Sequence, residues 1–125
     1  MNPIESSEIY IGTDIVEVQR INKSLNKLGK KFLNRIFTIS EQKYCDQKAF
    51  PSIHYSGRFA AKESIIKAVK SSGYIKSLTF KNIEILCSES GAPLVSFKFN
   101  IKGECKVSIS HSDNYATAVA LYILR

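Results

Sequence analysis

Gly57-Arg58-Phe59-Ala60-Ala61-Lys62-Glu63-Ser64-Ile65-Ile66-Lys67-Ala68-Val69 is the stretch that organises this chain. It is rich in helix formers and closes at Gly73, a natural C-terminal stop. The break at Phe50-Pro51-Ser52 precedes it, and Ser52 or Ser56 is the expected cap of a helix running through Ser71. Helical geometry puts Glu63 near Phe59 and Ile66, at the margin of the apolar stripe. Lys67 follows Glu63 by one turn. Such a pair is ordinarily a surface ion pair. A carboxylate at an apolar margin, however, calls for a pairing partner or a bound cation.

Upstream, Ile9, Ile11 and Thr13 alternate with Tyr10 and Gly12, so a short strand is expected over Glu8–Thr13. From Ile15 the period changes. Val18, Ile21, Leu25, Leu28 and Phe32 recur at helical steps, with Gly29 weakening or breaking the helix. Thr38-Ile39-Ser40-Glu41 has the form of a capping box and predicts a second helix from near Ser40. Downstream, strands are expected over Leu78–Cys87 and Leu94–Phe99, joined by the turn Ser90-Gly91-Ala92-Pro93. Val107 and Ile109 alternate with serines in a further strand. Tyr115–Leu124 is apolar on both parities, which predicts a buried strand. The order β-α-α-α-β-β-β-β predicts an α+β fold, an antiparallel sheet packed with helices, in one domain over residues 1–125.

Composition is that of a globular chain: 44% hydrophobic, 23% charged, with seven Phe in 125 residues. A chain of this size gains burial by oligomerising. The net charge of +7 favours polyanionic partners such as nucleic acid, anionic membranes, nucleotide cofactors or an acidic protein, without choosing among them. Cys45, Cys87 and Cys105 are scattered, which reads as reduced thiols in a cytosol-like compartment. Met1-Asn2-Pro3-Ile4-Glu5 lacks the basic start of a signal peptide, so none is expected. No apolar run reaches the roughly 18 residues of a membrane span. Phosphate-binding glycine loops and a nucleophile elbow are absent from the sequence.

Asp14, in Gly12-Thr13-Asp14-Ile15-Val16-Glu17, has two readings. It is an N-cap with Glu17 as reciprocal partner, or it is a metal ligand. With Glu63 and Lys67 it makes two carboxylates and an ammonium, the groups that phosphoryl chemistry on Mg²⁺ requires. Arg58 and Lys62 face either a polyphosphate or solvent. His111 is a structural histidine or a phosphate contact. Arg20 with Lys27, Lys30 and Lys31 is a solvated basic face or a dock for an acidic partner.

These segments resemble, in order along nearly the whole chain, the holo-acyl-carrier-protein synthases, the short bacterial type of 4′-phosphopantetheinyl transferase. The resemblance rests on Gly12–Val18, on Phe32-Leu33-Asn34-Arg35-Ile36-Phe37-Thr38 with Glu41 and Tyr44-Cys45, and on Gly57–Glu63 with Lys67-Ala68. It continues through Asn82-Ile83-Glu84-Ile85, Gly91-x-Pro93, and Val107–His111 followed by Tyr115-Ala116. It implies transfer of the phosphopantetheine arm of coenzyme A to a serine of apo-acyl carrier protein, serving fatty-acid synthesis in the cytoplasm. It implies Mg²⁺ held by Asp14 and Glu63, with Asp14 helping to deprotonate the serine and Lys67 neutralising the pyrophosphate. Arg58, Lys62 and His111 are then coenzyme A contacts, and Arg20 touches the carrier protein. A homotrimer with sites between subunits is expected, with no nucleic-acid or membrane partner. The family's glycine-containing turn after Lys67-Ala68 is here Val69-Lys70-Ser71-Ser72-Gly73, so Lys70 stands where backbone normally approaches the cofactor. The rival readings are a basic nucleic-acid-binding module and a protein of transferase shape without turnover.

Overall fold

A computed structural model describes residues 7–125; Met1-Asn2-Pro3-Ile4-Glu5 lies outside the described residues. The chain runs β1 (Glu8–Glu17), α1 (Val18–Leu28), α2 (Lys30–Ile36), α3 (Ile39–Asp46), α4 (Pro51–Ser71), a 3-10 turn (Phe80–Asn82), β2 (Ile83–Cys87), β3 (Pro93–Phe97), β4 (Glu104–His111) and β5 (Tyr115–Leu124). β5 is the centre of an antiparallel sheet ordered β1-β5-β4, while β2 and β3 form a separate antiparallel hairpin. The fold is α+β.

α4 lies across the inner face of the large sheet. On β1, Tyr10, Gly12, Asp14 and Val16 face the helix, while Ile9, Ile11, Thr13 and Ile15 face away. On β5 the inner row is Ala116, Ala118, Ala120 and Tyr122. The helix answers with its own small residues, Ala60, Ala61, Ser64 and Ala68, all buried. Small side chains on both surfaces bring the two backbones together. At Gly12 the approach is closest: a Cβ there would stand 1.9 Å from the Ser64 carbonyl oxygen and 2.7 Å from the Ala68 nitrogen. Only glycine fits. Phe37, Tyr55, Ile65, Val69, Ile83 and Ile85 fill the core between α4, the hairpin and the shorter helices.

Pairing extends β1 further than its alternation indicates. Its ladder with β5 runs from Glu8 opposite Leu124 to Glu17 opposite Tyr115. Asp14 therefore sits inside a strand, opposite Ala118, and caps nothing. Glu17 is the N-cap of α1, without a side-chain cap bond. Gly29, at φ 54°, breaks the expected first helix into α1 and α2. The capping box at Thr38 forms as expected, and α3 starts at Ile39. α4 begins earlier than either serine allows, with Pro51 in its first turn; Ser56 instead donates to the Ser52 carbonyl at 2.6 Å. Thr79 and Asn82 cap the 3-10 turn, so the expected strand from Leu78 is delayed to Ile83. β5 has the expected bounds but is buried on one face only: Val119, on the other, is 42% exposed.

Lys62 is the largest departure. It faces neither a polyphosphate nor solvent, being fully buried. Its ammonium donates to the carbonyls of Ile36 at 2.7 Å and Phe80 at 3.1 Å, and to Glu41 Oε1 at 2.6 Å. Glu41 in turn accepts from the Thr38 amide and, through Oε2, from the Ile85 amide at 2.7 Å. Burial pushes the Lys62 ammonium down from its ordinary range, and the charge of Glu41 opposes that. A charge pair at zero exposure holds because every polar atom on it has a partner. Lys62 thus joins α4 to the end of α2, to α3 and to the 3-10 turn, and Glu41 extends the link to β2.

Two variants test this packing. Gly12→Ala is expected to lower stability in urea denaturation by about 3 kcal/mol or more, because backbone must move to admit one methyl group. Lys62→Met leaves Glu41 buried without its cation and is expected to cost about 3–5 kcal/mol in the same measurement.

Candidate active site

Two clusters of polar groups lie on different sides of α4. The first joins β1 to the helix. The Lys67 ammonium donates to the Thr13 carbonyl at 3.0 Å and to Asp14 Oδ1 at 3.2 Å. Glu63 lies one turn before Lys67, close enough to Asp14 to feel its charge. Burial, then the Asp14 carboxylate, push the Glu63 carboxyl up from its ordinary value, and Lys67 opposes them. Two half-buried carboxylates that repel each other beside an ammonium form a site short of positive charge. Hard oxygen donors of this kind suit a small divalent cation that draws its remaining ligands from phosphate and water. No group of three or more potential metal-ligating side chains occurs among the described residues, so this pair would not enclose a cation unaided.

The second cluster lines a cleft of about 500 Å³ between α3, α4, the β2–β3 turn and the end of β4. Arg58 forms its floor. Its guanidinium lies 3.9 Å from the Tyr44 ring centroid, and Nη2 reaches Cys87 Sγ at 3.5 Å. Arg58 is 6% exposed, yet its Nε has no acceptor among the described residues. A buried charged donor left unpaired is unusual and suits an anionic ligand. His54 and His111 stand beside it with ring centroids 5.9 Å apart. Burial, followed by Lys48, His111 and Arg58, holds the His54 imidazole below its ordinary value.

The structure thus divides the residues that the sequence groups together. Asp14, Glu63 and Lys67 meet; Arg58 and His111 meet elsewhere; Lys62 belongs to neither. Arg58 and Glu63 are five residues apart in α4, about 140° around the helix. Arg20 is exposed on α1, and Lys23 and Lys27 follow it at helical spacing on the same face. Lys70 is exposed in the last turn of α4 and is not part of the cleft. His54 was not singled out by the sequence, although its (i, i+4) spacing to Arg58 was the available signal. Cys87 gave no signal, because the chain folds it under Arg58 from a distant hairpin.

A helix crosses an antiparallel sheet, with an acid pair at one edge and a cleft floored by an arginine on its other side. The family model of the 4′-phosphopantetheinyl transferase superfamily matches residues 10–120, and the chain belongs to this family. It is 47% identical over 109 residues to the holo-[acyl-carrier-protein] synthase of Thermodesulfovibrio yellowstonii, covering 86% of this chain and 92% of the relative. It is 40% identical over 117 residues to that of Protochlamydia amoebophila, covering 90% of this chain and 95% of the relative. The crystal structure of the Helicobacter pylori holo-[acyl-carrier-protein] synthase in complex with coenzyme A superposes with a TM-score of 0.77 at 37% identity, covering 90% of this chain and 98% of that one.

Arg58→Gln should weaken binding of inorganic pyrophosphate at least about tenfold by isothermal titration calorimetry, the loss of one charge-assisted contact. The thermal midpoint of the variant gives the control for folding.

Proposed function

We propose that this protein transfers the 4′-phosphopantetheine arm of coenzyme A to a serine of apo-acyl carrier protein, releasing adenosine 3′,5′-bisphosphate. The observation that carries this reading is the meeting of Asp14, Glu63 and Lys67 in a chain whose relatives are holo-[acyl-carrier-protein] synthases.

The serine oxygen forms a bond to the outer phosphorus of the pyrophosphate. The bond from that phosphorus to the bridging oxygen breaks, and adenosine 3′,5′-bisphosphate leaves with the electron pair. Such a transfer asks little covalent chemistry of the protein and much alignment and charge neutralisation. Asp14 and Glu63 would hold Mg²⁺, which supplies positive charge to the pyrophosphate when bound. Asp14 helps to take the serine proton, directly or through a water. Lys67, fixed by the Thr13 carbonyl and Asp14, offsets charge on the departing phosphate. Arg58, with His54 and His111, takes a phosphate of coenzyme A in the cleft. Arg20 and its basic neighbours on α1 dock the acidic carrier protein and speed encounter.

A homotrimer completes the site in this reading. Two observations support an assembly. The outward row of β1 leaves Ile9, Ile11 and Ile15 more than half exposed, with Thr13 between them opposite Val119 on β5, a mainly apolar face on a small chain. The two polar clusters face different sides of α4, so a neighbouring copy can bring the cleft of one chain to the acid pair of another. Fatty-acid synthesis in the cytoplasm is the setting that fits.

Intact mass spectrometry of apo-acyl carrier protein incubated with this protein, coenzyme A and Mg²⁺ tests the reaction. One added phosphopantetheine arm is expected, and none when EDTA is present. Asp14→Ala and Glu63→Ala should each slow the gain by on the order of 10²–10³-fold while staying folded. A wild-type rate in either variant removes that residue from the mechanism.

A further inference from the structure

The chain's three thiols are not equivalent. Cys45 and Cys105 are buried, and burial pushes each up to about 12, so neither is a nucleophile near neutral pH. Cys87 is exposed at the end of β2 and lines the Arg58 cleft. Its Sγ lies 3.5 Å from Arg58 Nη2, and the same guanidinium keeps Nε buried without an acceptor. An accessible sulfur therefore shares a cleft with a buried guanidinium that pairs with no carboxylate among the described residues. The transfer reaction makes no use of this thiol.

We propose that Cys87 is a reversible thiol-modification site, selective for small disulfides that carry anionic groups, and that the adduct closes the cleft to phosphate-bearing ligands. The selectivity rests on reading the cleft as the anion-binding half of the active site. The exchange is balanced without an added oxidant. Cys87 loses its proton to solvent, and its sulfur attacks one sulfur of the disulfide. The Cys87–S–S–R bond forms as the R–S–S–R bond breaks, and the second RS⁻ leaves and takes up a proton. Cys87 is oxidised as the reagent is reduced. Arg58 draws the anionic end of the reagent inward and delivers its disulfide to the sulfur beside it. A cleft of about 500 Å³ has room for a half the size of glutathione, or for part of a coenzyme A half, which then occupies the space over Arg58 and His54. A free thiol such as dithiothreitol reverses the bond.

The test compares oxidised coenzyme A, glutathione disulfide and cystamine on the full chain. Site mapping by peptide mass spectrometry is followed by pyrophosphate titration and transferase assay. The two anionic disulfides should modify Cys87 alone, at least about tenfold faster than dicationic cystamine at low ionic strength. The modified protein should lose pyrophosphate binding and transferase rate, and recover both with dithiothreitol. Cys87→Ser, measured against its own untreated rate, should show no disulfide-dependent loss. Arg58→Gln should erase the preference for anionic reagents while Cys87 still reacts. Modification at other cysteines, equal rates with cystamine, or an adduct that leaves pyrophosphate binding intact would each overturn the proposal. Should the untreated protein lack transferase activity, the adduct and the pyrophosphate titration still decide the matter separately from the proposed function.

Discussion

Everything at the acid cluster depends on how closely α4 approaches β1. Ion pairs between a strand and a helix are easily formed at a surface and easily lost. Here the pair is set by backbone contact, with Gly12 against Ser64 and Ala68. Asp14 follows Gly12 by two residues on the same face of the strand, and Lys67 precedes Ala68 on the helix. Once the two backbones touch at glycine, the carboxylate and the ammonium meet without a long side chain having to search for its partner. The alanine row of β5 performs the same service across the sheet. Small residues in this fold are positioning devices, although they contribute little buried area.

Lys62 shows how the other side of α4 is held. A helix resting on small residues could slide or rotate; a fully buried ammonium with two carbonyls and a carboxylate around it could not. The exchange of desolvation for three short contacts fixes rotation and register together, and Glu41 passes the constraint to β2 through the Ile85 amide. Neighbours in sequence thus divide the work: Lys62 anchors the helix inward, and Glu63 lies near enough to Asp14 to feel its charge.

Much of the fold was legible because its signals are local. The capping box at Thr38, the break at Gly29 and the bounds of β5 follow from side chains within a few residues of each feature. The errors arise where distant pairing overrides a local pattern. β1 continues past Thr13 because β5 supplies partners as far as Tyr115, and that takes Asp14 out of the cap the pattern assigned it. Of the proposed site residues, Glu63 stands out by its charge at an apolar margin, Lys67 by its (i, i+4) spacing to it, and Asp14 by its place after the first strand signal. Lys62 could not, since Glu41 and the Ile36 and Phe80 carbonyls come to it from three other segments. For the same reason Cys87 enters the cleft unannounced from a distant hairpin, whereas His54 shares α4 with Arg58 at a readable (i, i+4) spacing.

The division of polar groups between two sides of one helix is the feature that a single chain leaves unused. In the proposed assembly, the acid cluster of one copy works with the Arg58 cleft of the next. Mixing two variants tests this most directly. Glu63→Ala and Arg58→Ala proteins, each first assayed alone, are combined, exchanged under mild dissociating conditions and assayed for transfer to apo-acyl carrier protein at limiting coenzyme A. Recovered activity is expected, because some interfaces pair an intact acid cluster with an intact cleft. Activity no greater than the sum of the two separate proteins, with mixed oligomers verified by native mass spectrometry, would contradict it.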